Sequence, residues 1–181
     1  GKHAFESQLR QLGYELTQEE LLRCFEEFKV LCDKKKSITD ADLEALVSHN
    51  TRALEDDENG YKLDWFAVHT SNFTTATATI SLKKGDERFE EVCLGDGPID
   101  AACLAIDKIM RPVPHSFEIL NIKSTSAGKD TLGDVNIRLQ ADGHSFNGHG
   151  LSTDIMEASI LAYLEAANRL QAYSERHKEE K

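Results

Sequence analysis

The sequence has no apolar run approaching the roughly 20 residues of a membrane span, which excludes a helical membrane protein. It is poor in positive charge: 21 Lys and Arg stand against 32 Asp and Glu, a net charge of −11. A surface that tracks phosphates needs the opposite sign, so nucleic acid and anionic membranes are excluded as partners. Cysteine is sparse, and Cys24, Cys32, Cys93 and Cys103 form no C-x-x-C pair. Scattered cysteines among apolar neighbours behave as small buried hydrophobes. That argues against a disulfide framework and for a reducing compartment, cytoplasmic or plastid-like. The sequence also lacks G-x-S-x-G, G-x-x-x-x-G-K and H-E-x-x-H, and with them the signatures of a nucleophile elbow, a P-loop and a zinc peptidase. Its first residues, "GKHAFESQLRQLG", are amphipathic and charged, unlike a signal peptide.

What is present is enough for a core: 181 residues, 40% of them apolar. Residues 1–54 read as helical. Thr17-Gln18-Glu19-Glu20 has the form of a capping box, in which Thr and the Glu three residues on satisfy each other's exposed amides. Leu21, Leu22, Phe25, Phe28, Leu31 and Cys32 then follow helical spacing. Lys34, Lys35 and Lys36 fall at the end of that pattern, where the helix dipole favours cations. "TDADLEALV", Thr39 to Val47, starts another short helix. Such short helices bury little by themselves, so this part reads as the tail of something larger. Residues 55–60, "EDDENG", have the composition of a linker.

From Tyr61 the period changes to two. "TTATATISL" places Ala76, Ala78, Ile80 and Leu82 on one face and Thr75, Thr77, Thr79 and Ser81 on the other, a half-buried strand. Lys84-Gly85-Asp86 supplies a turn, Arg88 to Leu94 a returning strand, and Ile99, Ala102, Cys103, Ile106 and Met110 a helix that stops at Arg111-Pro112. The pattern then repeats. Ala78, Ile80, Leu82, Phe89, Asp100 and Ala105 recur 57 residues later as Val135, Ile137, Leu139, Phe146, Glu157 and Ala162, with an Asp142-Gly143 hairpin signal between the strands. The expectation is an α+β protein: a helical subdomain over 1–54, then residues 61–181 built of two βββα units, about 61–111 and 115–173, with antiparallel sheets. Neither unit covers its apolar face alone, so the two should pack together.

The helix starts repeat as well. In "GDGPIDAACLAID", Gly97 is the expected N-cap, Pro98 the first helical residue and Asp100 the third. In the second copy Asp154 is the N-cap and Glu157 the third helical residue, a capping arrangement. These residues could do no more than start helices. The same geometry also attracts anions to free N–H groups, and Gly95 and Gly97 permit close approach of a ligand. With Asp96 and Asp100 nearby and no Lys or Arg between Cys93 and Asp107, phosphate is a poor fit. A small zwitterion suits the site better. His144, His149, Asp142 and Asp154 do not have a recognised metal-ligand spacing, and His115, after Pro112 and Pro114, has no evident partner.

Three segments resemble the C-terminal part of 2-isopropylmalate synthases: "GLSTDIMEASILAYLEAANRL" their final helix region, "GDGPIDAACLAID" their glycine-rich helix start, and residues 1–46 the helical subdomain after their catalytic barrel. The resemblance covers nearly the whole chain. It implies an enzyme that condenses acetyl-CoA with 2-oxoisovalerate to give 2-isopropylmalate, the first committed step to leucine. Catalysis and a divalent metal belong in that family to a (β/α)₈ barrel absent from this chain, so no catalytic or cofactor residue is expected here. The part present is implied to be a dimerising regulatory domain that binds leucine as feedback inhibitor. Carried over by motif, the effector site comprises Gly95, Gly97, Ile99, Asp100, Leu120, Ser124, Thr131, Gly133 and Leu151. The family pattern has an Asp-Tyr pair where this sequence reads Ile119-Leu120, which implies a pocket wall without the tyrosine ring. Two other readings stand beside this one: the regulatory domain of a citramalate synthase answering to isoleucine, and a stand-alone amino-acid-binding dimerisation module.

Overall fold

The computed structural model describes residues 1–52, 60–127 and 130–179. Contacts divide the chain into two compact units, Gly1–Glu58 and Asn59–Lys181. Apart from Gly60, the segment read as a linker lies outside the described residues.

The first unit holds α1 (Lys2–Gln11), α2 (Gln18–Lys34) and α3 (Asp40–Arg52). Phe5, Leu9, Leu21, Cys24, Leu43 and Val47 form its core, and the Phe5 ring stacks on Phe28 with centroids 4.6 Å apart. Helix α1 ends in a left-handed Gly13 (φ 93°), with the Tyr14 N–H donating to the Leu9 carbonyl and the Gly13 N–H to that of Arg10, the paired bonds of a glycine-terminated helix. The capping box forms: the Glu20 N–H donates to Thr17 Oγ1 at 3.1 Å and the Thr17 N–H to Glu20 Oε2 at 3.2 Å. Thr39 and Asp42 repeat the exchange at the start of α3. The hydrogen bond from Lys35, followed by that of the Thr39 amide, holds the Asp42 carboxyl down at about 2. The third helix runs on past Val47, because Asn50 is buried and donates to Glu27 Oε2 and the Leu46 carbonyl.

The second unit contains β1 (Lys62–His69), β2 (Ala76–Lys84), β3 (Glu87–Gly95), α4 (Pro98–Met110), β4 (Ser116–Ala127), β5 (Asp130–Ala141), β6 (His144–Ser152) and α5 (Ile155–Glu179). The strands form two antiparallel sheets, ordered β1-β2-β3 and β4-β5-β6. The repeat holds at the level of cross-strand pairs: Leu82 faces Phe89, and Leu139 faces Phe146. The second hairpin turns on Asp142 (φ 53°) and Gly143 (φ 74°), the doubly left-handed turn whose twist suits a two-residue loop.

One core joins the halves. Ala78, Ile80 and Leu82, with Val135, Ile137 and Leu139, pack against Cys103, Ile106, Ile160, Tyr163 and Leu170 of the two helices. Burying each large aliphatic side chain contributes about 1.5–3 kcal/mol. Asn168 of α5 also ties down the start of β1, accepting from the Tyr61 N–H at 3.0 Å and donating to the Tyr61 carbonyl at 2.9 Å.

Candidate functional site

Gly97 is the N-cap of α4, with Pro98 following at the first helical position. Its backbone is extended (φ −154°, ψ 176°), and no side chain caps the helix there. A β-carbon on Gly97 would meet nothing within 4 Å. Gly95 is different. It is buried at the end of β3 opposite Ala76, and a β-carbon there would run into the Ala101 backbone. Its small size is thus needed to seat α4 against the strand. Asp100 turns back to accept the Asp96 N–H at 3.0 Å, and Ile99 packs partly buried against the core.

Helix α5 starts otherwise. The Met156 N–H donates to Asp154 Oδ1 at 2.8 Å, so Asp154 caps the helix as expected. Glu157 does not complete a capping box. The Asp154 N–H donates to Ser152 Oγ, and Ser152 Oγ donates to Glu157 Oε2 at 2.9 Å. The serine intervenes because it ends the strand just ahead of the cap.

The carried-over residues fall into two groups at equivalent ends of the two copies. Gly95, Gly97, Ile99 and Asp100 lie where β3 passes into α4. Gly133 faces Ser124 on one side and Ser152 on the other. Leu151, adjacent to Ser152, faces Asp134 and belongs to β6, ahead of α5. The pair Ala76–Gly95 becomes Gly133–Ser152 in the second copy, so the glycine changes strand. A β-carbon on Gly133 would stand 2.8 Å from Ile155 Cδ1, which again seats the helix start. Leu120 occupies the irregularity of β4 between Ile119 and Asn121 and is exposed, as is Leu151. Thr131 lies in β5 opposite Ser126; its side chain is outside the described residues.

The positive end of α4 suits a carboxylate, and the acids beside it suit an ammonium group. Among the described residues no group of three His, Cys, Asp or Glu could hold a metal ion. His149 is engaged by Asp134 at 2.6 Å, and the His144 ring lies against Tyr173.

His115 has partners that its sequence neighbourhood does not reveal. Its Nε2 lies 2.8 Å from the Tyr163 hydroxyl and 3.2 Å from Asp107 Oδ2, and its Nδ1 lies 2.9 Å from the Val113 carbonyl oxygen. The Tyr163 hydroxyl donates to Asp107 Oδ1 at 2.7 Å. The hydrogen bond to Asp107 raises the His115 pKa against the opposing effect of burial. Burial first, then Asp107, pushes up that of Tyr163. Asp107 and Tyr163 sit at inward positions of the two predicted helices, which is the only signal the sequence offers.

The second unit is thus a pair of βββα units that share one core, with a helix start in the first that no side chain caps. Residues 37–171 match the family described as the LeuA allosteric (dimerisation) domain, and the chain belongs to that family. It is 42% identical over 171 residues to the 2-isopropylmalate synthase of Pelotomaculum thermopropionicum, covering 94% of this chain and 33% of that protein. It is 44% identical over 171 residues to that of Dictyoglomus turgidum, again 94% of this chain and 33% of the relative. With the 2-isopropylmalate synthase of Gloeothece citriformis the identity is 38% over 182 residues, covering 100% of this chain and 33% of the relative. The chain therefore spans about a third of the length of the curated relatives it matches.

Proposed function

We propose that this chain is the C-terminal regulatory part of a 2-isopropylmalate synthase, that it binds leucine as feedback inhibitor, and that it forms a homodimer. Condensation of acetyl-CoA with 2-oxoisovalerate, and the divalent metal it uses, belong in this reading to sequence outside the chain. The observation that carries the reading is the start of α4. Its glycine cap brings no side chain and faces open space, whereas α2 and α5 are capped by Thr17 and Asp154. Main-chain N–H groups of the first turn are left for a ligand carboxylate. Asp96 supplies a nearby acid for the ammonium group, and Ile99, Leu120 and Leu151 supply apolar surface for the side chain. Burying a leucine side chain contributes about 1.5–3 kcal/mol.

Dimerisation is supported by an asymmetry between the copies. In the first, Leu63, Phe66 and Val68 of β1 pack against the core. Their counterparts by strand pairing, Phe117, Ile119 and Ile122 of β4, remain 37%, 39% and 48% exposed. A second copy covering this stripe completes in the second unit what the first achieves within the chain.

The experiment is titration of the ¹⁵N-labelled chain with leucine, followed by amide chemical shifts. The reading expects saturable shifts at Gly97, Ile99 and Asp100, and at Gly133 and Leu151. Shifts scattered over other surfaces, or none at millimolar leucine, would reject the site.

A further inference from the structure

We propose that Asp107, His115 and Tyr163 form a proton-dependent clasp that holds α4, the start of β4 and α5 together, tightest when the imidazole carries both of its protons. The three groups come from three different places: α4 of the first βββα unit, the residue just before β4, and α5 of the second unit. The clasp thus closes across the junction of the repeats. It is sheltered, since the His115 side chain is 9% exposed and Tyr163 is fully buried.

Counting hydrogens gives the protonation state that the geometry fits. The Val113 oxygen only accepts, so Nδ1 carries a proton. Tyr163 has one hydroxyl hydrogen, and it is directed to Asp107 Oδ1 at 2.7 Å. What remains at Nε2 is the other carboxylate oxygen at 3.2 Å and the tyrosine oxygen at 2.8 Å, both acceptors. With a proton on Nε2 the tyrosine contact is a hydrogen bond and the carboxylate contact an ion pair. Without it, either a lone pair faces a carboxylate oxygen, or the tyrosine turns its hydrogen to the imidazole and abandons Asp107. A charged donor against a carboxylate in a sheltered site is the stronger arrangement.

The other groups facing the clasp are consistent with this. Asp100 and Cys103 of α4 act on Tyr163 through their charge, the 111–115 segment presents the Val113 carbonyl to His115, and β4 presents the Phe117 ring, 5.4 Å from that of Tyr163. The His115 pKa is raised in the folded chain. The clasp's contribution is therefore complete below the unfolded value of about 6.5 and is lost as pH rises through the folded value. Leu120 and Ser124 lie further along the strand that His115 anchors. Any consequence for leucine rests on the function proposed above, so the test is run without ligand.

The test combines ¹⁵N NMR of the histidine ring nitrogens with denaturant unfolding of wild type, His115→Gln and Asp107→Asn from pH 5.5 to 8.5. In wild type His115 should titrate above an unfolded-peptide histidine. Relative to His115→Gln, the wild-type folding constant should fall with rising pH, by about tenfold for each pKa unit separating the folded and unfolded imidazole. Asp107→Asn keeps the shape but offers N–H groups to Nε2, and should bring the titration below the peptide value. The proposal is overturned if wild-type His115 titrates at or below the peptide value, or if wild type and His115→Gln lose stability in parallel across the range. Should either variant fail to fold, the wild-type ring titration decides alone.

Discussion

Gly148 of β6 lies directly beneath the Ala162 carbonyl of α5, so close that a β-carbon on the glycine would run into it. Gly150 stands in the same relation to the Ala158 carbonyl. The equivalent positions of the first copy are Glu91 and Cys93. At these two positions the second helix is thus seated on glycine backbone, where the first copy has side chains and keeps its close glycine contact at Gly95 alone. Gly148→Ala and Gly150→Ala should destabilise the chain at the upper end of the 1–3 kcal/mol typical of overpacking, because the obstructing atoms are helix backbone. Gly97→Ala, with open space around the new carbon, should stay within about 0.5 kcal/mol of wild type. Urea denaturation of the three variants checks both statements, and equal losses at Gly97 and Gly148 would show that helix seating is not the reason.

Light scattering of the chain at tens of micromolar, about 10⁻⁵ M and a concentration at which a standard-sized interface holds, should give the mass of a dimer. Ile122→Asp places a charge in the exposed stripe of β4, at a residue that is itself 48% exposed. It should shift the mass toward monomer while circular dichroism stays unchanged. A variant that remains fully dimeric would place the interface elsewhere.

Gly97→Val tests whether the start of α4 is a ligand cradle or only a helix cap. The extended backbone at Gly97 accepts a β-branched residue without positive-φ strain, so folding should survive. The side chain would occupy the space from which a ligand must approach, and leucine affinity should drop at least tenfold in calorimetry. A folded variant with wild-type affinity would reduce the loop to a cap.

Much of this architecture is legible in the sequence because two periodicities dominate it. Alternation at Ala76–Leu82 marks β2, and its echo at Val135–Leu139 marks β5. The 57-residue offset carries the Leu82–Phe89 pair onto Leu139–Phe146. Gly97, Pro98 and Asp100 take the N-cap, first and third positions that their residue types favour. What stayed hidden depends on distance along the chain. His115 meets Tyr163 across 48 residues, and nothing local marks the pair. The diversion of Glu157 to Ser152 reflects a hydroxyl one strand-end away, and local capping rules do not include it. The shift of glycine from Gly95 to Gly133 breaks the repeat at the very place where the candidate site lies. A comparison of helix starts alone therefore does not show that both glycines serve helix seating.

The most direct measurement is isothermal calorimetry of the chain with leucine, and with isoleucine and valine as competitors. The expected result is saturable leucine binding that isoleucine and valine displace only weakly. Binding of isoleucine in preference to leucine would move the chain to a regulatory domain of citramalate-synthase type, and no binding of any branched-chain amino acid would contradict the proposed function.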